Sequence, residues 1–329
     1  MLEKPLISVV IATYNRCDTL KVTLERLAAQ TTPAKDFEVV VVDDGSSDKT
    51  SEMVDSMTGY VPYALDYLRH ENHGPGYTQN RGIRKARSRL VLLIADDVWP
   101  CSDMIAQHLK THSDYPDENV AVLGKVIQSP ELPPTLMHKY WDPFRHSRFD
   151  GKHEIDAVNF LACHISVKKS FLIRNGMYKE RKGPAHEDIE LGYRLREKGL
   201  RLIYNEKALC HHYHPGTLDS VCRRAYERGL NFDMLAGNVP ASFIFPLYHI
   251  CTLQAGLKGF LRMLPREIPR KCLFNRWTVN GFWLPVLQLA EKNRFASLFA
   301  NLSTYRGTIY YHQRLGYKHL RKKNGKTEC

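Results

Sequence analysis

Residues 90–100 read LVLLIADDVWP. Six apolar residues, Leu90 to Ala95, run directly into two adjacent carboxylates, Asp96 and Asp97, and Pro100 stops any continuation. A short, branched apolar run bounded by polar residues is the pattern of a strand buried on both faces. Two upstream segments repeat it. Leu6 to Ala12 leads into Thr13-Tyr14-Asn15-Arg16, and Phe37 to Val42 leads into Asp43-Asp44-Gly45-Ser46-Ser47-Asp48.

Between these runs lie segments of helical period. Thr19 to Ala29 places Leu20, Leu24 and Leu27 on one face, Lys49 to Met57 follows the polar turn, and Tyr77 to Arg87 follows His73-Gly74-Pro75-Gly76. A weaker strand is expected over Tyr63 to Arg69. Alternation of this kind predicts an α/β fold with a mixed, mostly parallel sheet flanked by helices. Ligands of open α/β sheets bind beyond the carboxyl ends of the strands, so Tyr14, Asp43, Asp44, Asp96 and Asp97 should border one crevice. Ser129 to Gly151, with four prolines and several aromatics, reads as a loop or lid.

The chain has 329 residues, enough for a large core, and its 43% hydrophobic and 25% charged residues exclude both disorder and a multi-span membrane protein. The formal charge of +12 is unevenly placed. From Gly216 onward there are 18 Lys or Arg against 6 Asp or Glu, while the preceding residues are balanced. We therefore expect a catalytic domain over residues 1–215 and a basic, mainly helical C-terminal extension over residues 216–329. Within the extension, Thr217 to Ala236 reads as a helix. Two uncharged stretches, Met234 to Leu257 and Trp277 to Ala290, carry Pro240, Pro246, Gly281 and Pro285, which argues against spanning helices. Helices lying on an anionic membrane surface fit, with Arg262, Arg266, Arg270 and Lys271 for headgroups; an extension packing on the catalytic domain or a partner fits equally. Eight scattered cysteines without a CxxC pair and an N-terminal apolar run too short for a signal peptide point to a reduced, cytoplasmic protein, peripheral on the inner face if it meets membrane.

Adjacent carboxylates at a strand end need a cation or solvent. Asp96-Asp97 is thus either a site for Mg²⁺ or Mn²⁺, completed by substrate phosphates, or a solvated turn capping a helix that begins near Ser102. Glu187-Asp188 opens a further helix, where the dipole favours carboxylates whatever else they do. The cluster Cys210-His211-His212-Tyr213-His214 is too tightly spaced for a standard structural zinc site.

Four segments, SVVIATYNR from Ser8, VVVVDDGSSDKT from Val39, LLIADDVWP from Leu92 and HEDIELGYRLREKG from His186, resemble in order the successive blocks of glycosyltransferase family 2, which has the GT-A fold. The resemblance covers about residues 6 to 215. It implies an inverting transfer of sugar from a nucleotide-sugar donor, UDP by default, to a hydroxyl acceptor such as a lipid-linked saccharide, a polysaccharide precursor or a protein. It implies that the Ala12 backbone, the Tyr14 ring, Asp43 and above all Asp44 hold the nucleoside. Mn²⁺ or Mg²⁺ falls to Asp97 first and Asp96 second, with Asp96 also placed to meet ribose or sugar. Asp188 becomes the general base, with Glu187 positioning it or binding acceptor. His212 corresponds to a late histidine that meets diphosphate or metal, and His214 is its alternative.

Three positions depart from the family pattern. Ala95 stands where a carboxylate often precedes the pair. Gln79 stands where Arg usually precedes Asn80, leaving Arg81 as a substitute for a phosphate or base contact. His164, in the segment Asn159 to Lys169 that resembles the sugar and acceptor contacts, replaces a common Asn. A processive polysaccharide synthase would call for QxxRW, but Leu273 stands in place of the Gln ahead of Arg276-Trp277. No nucleic-acid-binding motif accompanies the basic tail, and Gly74-Pro75-Gly76 is not the GxGxxG of a dehydrogenase.

Overall fold

The computed structural model describes residues 4–182, 186–235, 238–240, 244, 270–292, 298 and 300–324. Arg262, Arg266 and most of Met234 to Leu257 therefore lie outside the described residues. The chain divides into two compact units, one of residues 1–132, 144–183 and 187–214, the other of residues 133–143, 184–186 and 215–329.

In the first unit the apolar runs become β1 (Ile7–Thr13), β2 (Phe37–Asp43), β3 (Ala64–Arg69) and β4 (Leu90–Ala95). Helices α1 (Cys17–Ala28), α2 (Thr50–Met57) and α3 (Pro75–Lys85) connect them. Pro75 at the first position of α3 fits a site whose N–H has no intrahelical partner. Beyond β4 come β5 (Val98–Pro100), α4 (Met104–Asp114), β6 (Val120–Gln128), β7 (Glu154–Ile155), β8 (His164–Lys168), α6 (Lys169–Arg174), α7 (Glu187–Arg196) and β9 (Arg201–His212). Helix α5 (Leu136–Tyr140) belongs to the second unit.

Among the described residues these nine strands form one sheet, ordered β3-β2-β1-β4-β8-β6-β9-β5 with β7 beside β9. The first four strands are parallel; β8 is antiparallel to both β4 and β6, and β9 returns parallel to β6. Alternate residues of β1, β2 and β4 feed opposite faces. Val10, Val40, Val42 and Leu93 pack with Ile83 of α3, while Val9, Ile11, Val39, Val41, Leu92 and Ile94 pack with Leu20, Leu24 and Leu27 of α1. Burial on both faces explains why these strands read as continuous apolar runs. Gly82 lets α3 approach closely, because a Cβ there would lie 2.3 Å from Val10 Cγ1.

Several expectations need correction. The chain re-enters the sheet after the acidic pair as a short strand that Pro100 ends, a proline tolerated because β5 sits at the end of the sheet order. The segment expected to be a loop or lid holds α5 and a 3₁₀ turn, His146–Phe149, whose first and last side chains are buried. Trp277 to Ala290 is not interrupted. A turn at Arg276–Thr278, a π-helical turn at Val279–Trp283 and α9 (Leu284–Ala290) follow one another without a gap. A π-turn absorbs the register change that Gly281 and Pro285 impose.

The described residues of the second unit are mainly helical. Helix α8 (Leu218–Leu230) starts in a reciprocal cap between Thr217 and Ser220, and α10 (Leu302–Lys323) is capped by Asn301. The two backbones touch: a Cβ on Gly229 would lie 2.1 Å from the Gln313 carbonyl, and one on Gly316 2.0 Å from that of Tyr226. Among the described residues no helix is long and apolar enough to cross a membrane.

His164 lies in the interior. Its Nε2 is 3.0 Å from His108 Nε2, His108 Nδ1 is 2.7 Å from Ser166 Oγ, and the same hydroxyl is 2.8 Å from His112 Nε2. Lys168 Nζ ends this chain 2.9 Å from His112 Nδ1. Gly124 makes room for the His164 ring, which a Cβ would approach to 2.1 Å. Burial, helped by the His112 charge, pushes His108 down to about 3; burial and the Lys168 charge do the same to His112. Between pH 6.5 and 3 the unfolded chain binds protons at these positions that the folded chain refuses, so stability falls as pH falls, by up to about 1.4 kcal/mol per pH unit for each histidine. We expect urea unfolding between pH 7 and 5 to show this slope, and His108→Asn to lessen it by about one proton. An unchanged slope in the variant contradicts the assignment.

Candidate active site

The sheet brings together residues that the sequence keeps far apart. Strand β5 begins immediately after Asp97 and pairs antiparallel with the end of β9, setting Val98 opposite His212, and Tyr213 N donates to the Asp97 carbonyl at 2.8 Å. Where the chain leaves β9 after His212, the rings of His212 and His214 stack 5.7 Å apart, while Tyr213 between them stacks on Trp99. His212 Nε2 and His214 Nδ1 consequently lie 3.6 and 3.4 Å from Asp97 Oδ2. Phe144 packs edge-on against the His212 ring at 4.8 Å.

One donor atom from each of Asp97, His212 and His214 lies within 4.8 Å of the others. Ligands about 2.0–2.2 Å from a shared cation are separated by comparable distances, so this buried carboxylate and two imidazoles fit a divalent metal. Asp96 lies outside this group. Its Oδ2 accepts from Thr13 Oγ1 at 2.8 Å, and its carbonyl accepts from Thr23 Oγ1 at 2.8 Å.

The two carboxylates are electrostatically unlike. Burial would raise Asp97, but His212, His214 and the Arg16 guanidinium, whose Nη1 lies 3.0 Å away, outweigh it and hold Asp97 well below the usual carboxylate range. Burial and the neighbouring Asp97 charge push Asp96 up to about 7. Asp97 is thus the anion of the pair, while burial beside that charge favours the protonated form of Asp96.

Around the ends of β1 and β2, Tyr14 is 49% exposed. Asn15, at φ +53°, ties the two loops together: its side-chain oxygen accepts from Ser47 N at 2.7 Å, and its own N–H donates to Ser46 Oγ at 2.8 Å. Asp43 is wholly buried and committed to its turn, accepting from Ser46 N, Ser46 Oγ and the Tyr67 hydroxyl. Asp44 accepts from the backbone of His73 at 2.8 Å and Gly74 at 3.1 Å, which leaves a carboxylate further acceptor capacity. Ala12 lies in β1, paired with Val42 and Ala95. Arg81, half-buried on α3, has no hydrogen bond or ion pair among the described residues. Asn80 clamps α3 to the segment after α6 by bonds to both backbone groups of Tyr178.

Glu187 and Asp188 open α7 as expected. Asp188 Oδ2 accepts from Ala162 N at 3.2 Å, and the next residue, Cys163, accepts from Ala95 N at 3.1 Å. One short backbone segment therefore reaches from Asp188 to the end of β4. Burial and the charges of both Asp188 and Asp97 push the Cys163 thiol well up, as burial and the Asp188 and Glu187 charges do for Tyr178. Sequence reasoning passed over Thr13 and Arg16, whose partners are 83 and 81 residues away. His214, expected only as the alternative to His212, lies with it against Asp97 Oδ2 just beyond the end of β9.

Residues 8–181 match the family described as glycosyl transferase family 2. The putative glycosyltransferase EpsH of Bacillus subtilis is 30% identical over 290 residues, covering 85% of this chain and 80% of EpsH. The uncharacterized glycosyltransferase YfnE of the same species is 31% identical over 147 residues, 45% of this chain. The chain spans only 34% of YfnE and 38% to 54% of the other leading curated relatives. Among solved structures, the mannosyltransferase PcManGT from Pyrobaculum calidifontis, in complex with GDP-Man and Mn²⁺, shares the fold at a TM-score of 0.58 and 19% identity, covering 95% of this chain and 88% of PcManGT. S. aureus TarS 1-349, in complex with UDP-GlcNAc, does so at 0.52 and 16%, covering 99% and 93%.

Proposed function

The chain belongs to glycosyl transferase family 2, and from that premise we propose that it is a metal-dependent, inverting glycosyltransferase. Its donor is a nucleoside-diphosphate sugar, UDP-linked by preference, and its acceptor a hydroxyl of a growing glycan or glycolipid. The observation that carries this reading is the grouping of Asp97, His212 and His214 at the end of β4. Two imidazoles beside one carboxylate favour Mn²⁺ over Mg²⁺, since Mg²⁺ prefers oxygen ligands.

Catalysis is assigned to residues 1–215. Tyr14 stacks on the base, Asp44 and the Ala12 backbone take base or ribose, Asp43 supports their turn, and Arg81 meets phosphate or base. Asp97 and His212, with His214, hold the metal, and Asp96 meets ribose or sugar or gives secondary support to the cation. When bound, the cation stabilises negative charge developing on the departing diphosphate. Asp188 removes the proton of the acceptor hydroxyl as its oxygen bonds to the anomeric carbon and the bond to the diphosphate breaks. Attack opposite the leaving group inverts that carbon. Glu187 positions Asp188 or binds acceptor.

Asp188→Asn should lower kcat by about 100- to 10,000-fold while leaving Mn²⁺-dependent UDP binding nearly intact. Parallel loss of binding makes Asp188 a helix cap instead. Failure of UDP, GDP and dTDP alike to raise Tm with Mn²⁺ would sink the enzymatic reading.

For the extension, residues 216–329, we propose contact with an anionic membrane surface. Leu273, Trp277 and Phe282 are exposed among Arg270, Lys271 and Arg276, the composition of an interfacial segment. Co-sedimentation with phosphatidylserine vesicles should weaken with salt and with Trp277→Ala; equal binding to neutral vesicles contradicts the electrostatic part.

A further inference from the structure

Arg16 occupies a peculiar place in the triad. It precedes α1 as its capping residue, and its Nη1 lies 3.0 Å from Asp97 Oδ2 and 3.3 Å from His214 Nδ1. A guanidinium only donates hydrogen bonds, so in its contact with Arg16 the His214 Nδ1 accepts, with the ring proton on Nε2; in the other tautomer Nδ1 donates to Asp97 Oδ2, 3.4 Å away. The lone pair that Nδ1 offers Arg16 is the one it would offer a metal. A nitrogen with a single lone pair cannot serve both, and a guanidinium and a dication crowded onto one buried carboxylate oxygen repel each other strongly.

Resting on the metal reading above, we infer that Arg16 is a resident counter-cation of the metal site, which a divalent ion must displace. Before metal arrives, Arg16 neutralises Asp97 and fixes the His214 tautomer that metal ligation requires. Once displaced, it is a free cation at the carboxyl end of β1, beside the crevice where the donor's phosphates would lie. A nucleoside diphosphate gives it a new partner, so metal and nucleotide favour each other's binding. Arg16 thereby acts as a positioning residue, setting the order and coupling of the two ligands.

The inference can be tested without turnover, by measuring Mn²⁺ binding to the full chain from the electron paramagnetic resonance of free Mn²⁺, with and without UDP. Arg16→Gln keeps a polar side chain but removes the competing charge; Arg16→Lys retains the charge. Without nucleotide, the Gln variant should bind Mn²⁺ about tenfold tighter than wild type, within the usual range for coupled sites, and the Lys variant should stay near wild type. UDP should tighten Mn²⁺ binding in wild type and much less in the Gln variant. Unchanged or weaker Mn²⁺ binding by folded Arg16→Gln overturns the exchange while leaving the metal site standing. Absence of Mn²⁺ binding in all three proteins removes the metal assignment itself, and the exchange with it.

Discussion

A carboxylate withdrawn from water at the end of a strand has to be met by positive charge, and Asp97 is such a carboxylate. Its neighbours Arg16, His212 and His214 all converge on Oδ2. They arrive from different parts of the chain only because β5 closes against the end of β9 directly after the acidic pair. The local cost of burying this group is high unless it is paired, so the same strand pairing that completes the sheet brings Asp97 the partners it needs.

The remaining features follow from that placement. Thr13 binds Asp96 and leaves Asp97 as the anion that faces the histidines. The loops after β1 and β2 are fastened to each other through Asn15, Ser46 and Ser47, which holds the backbone next to Tyr14 against the turn that carries Asp44. On the other side, the backbone at Ala162 and Cys163 links the end of β4 to Asp188. The acidic pair after β4 and Asp188 at the start of α7 are thus linked through backbone contacts on ordered elements.

The parallel half of the sheet was legible in the sequence because its strands are buried on both faces and leave unbroken apolar runs. The acidic pair and the opening of α7 at Glu187 were legible for local reasons, a strand end and a helix start. What stayed hidden depends on long-range pairing. Nothing in the string TYNR announces that Arg16 reaches a residue 81 positions away. His164, placed by resemblance beside the sugar, instead joins His108 in the core, because β8 runs antiparallel between β4 and β6 and buries it. The proline-rich segment from Ser129 hid a helix, since five residues at Leu136–Tyr140 carry too little periodicity to read.

Asp97, His212 and His214 are proposed to hold one cation. Anomalous diffraction from crystals grown with Mn²⁺ and UDP locates the ion without reference to activity. The account predicts a single strong peak within bonding distance of Asp97 Oδ2, His212 Nε2 and His214 Nδ1. A peak held by other residues, or a site still filled by Arg16 at saturating Mn²⁺, would contradict it.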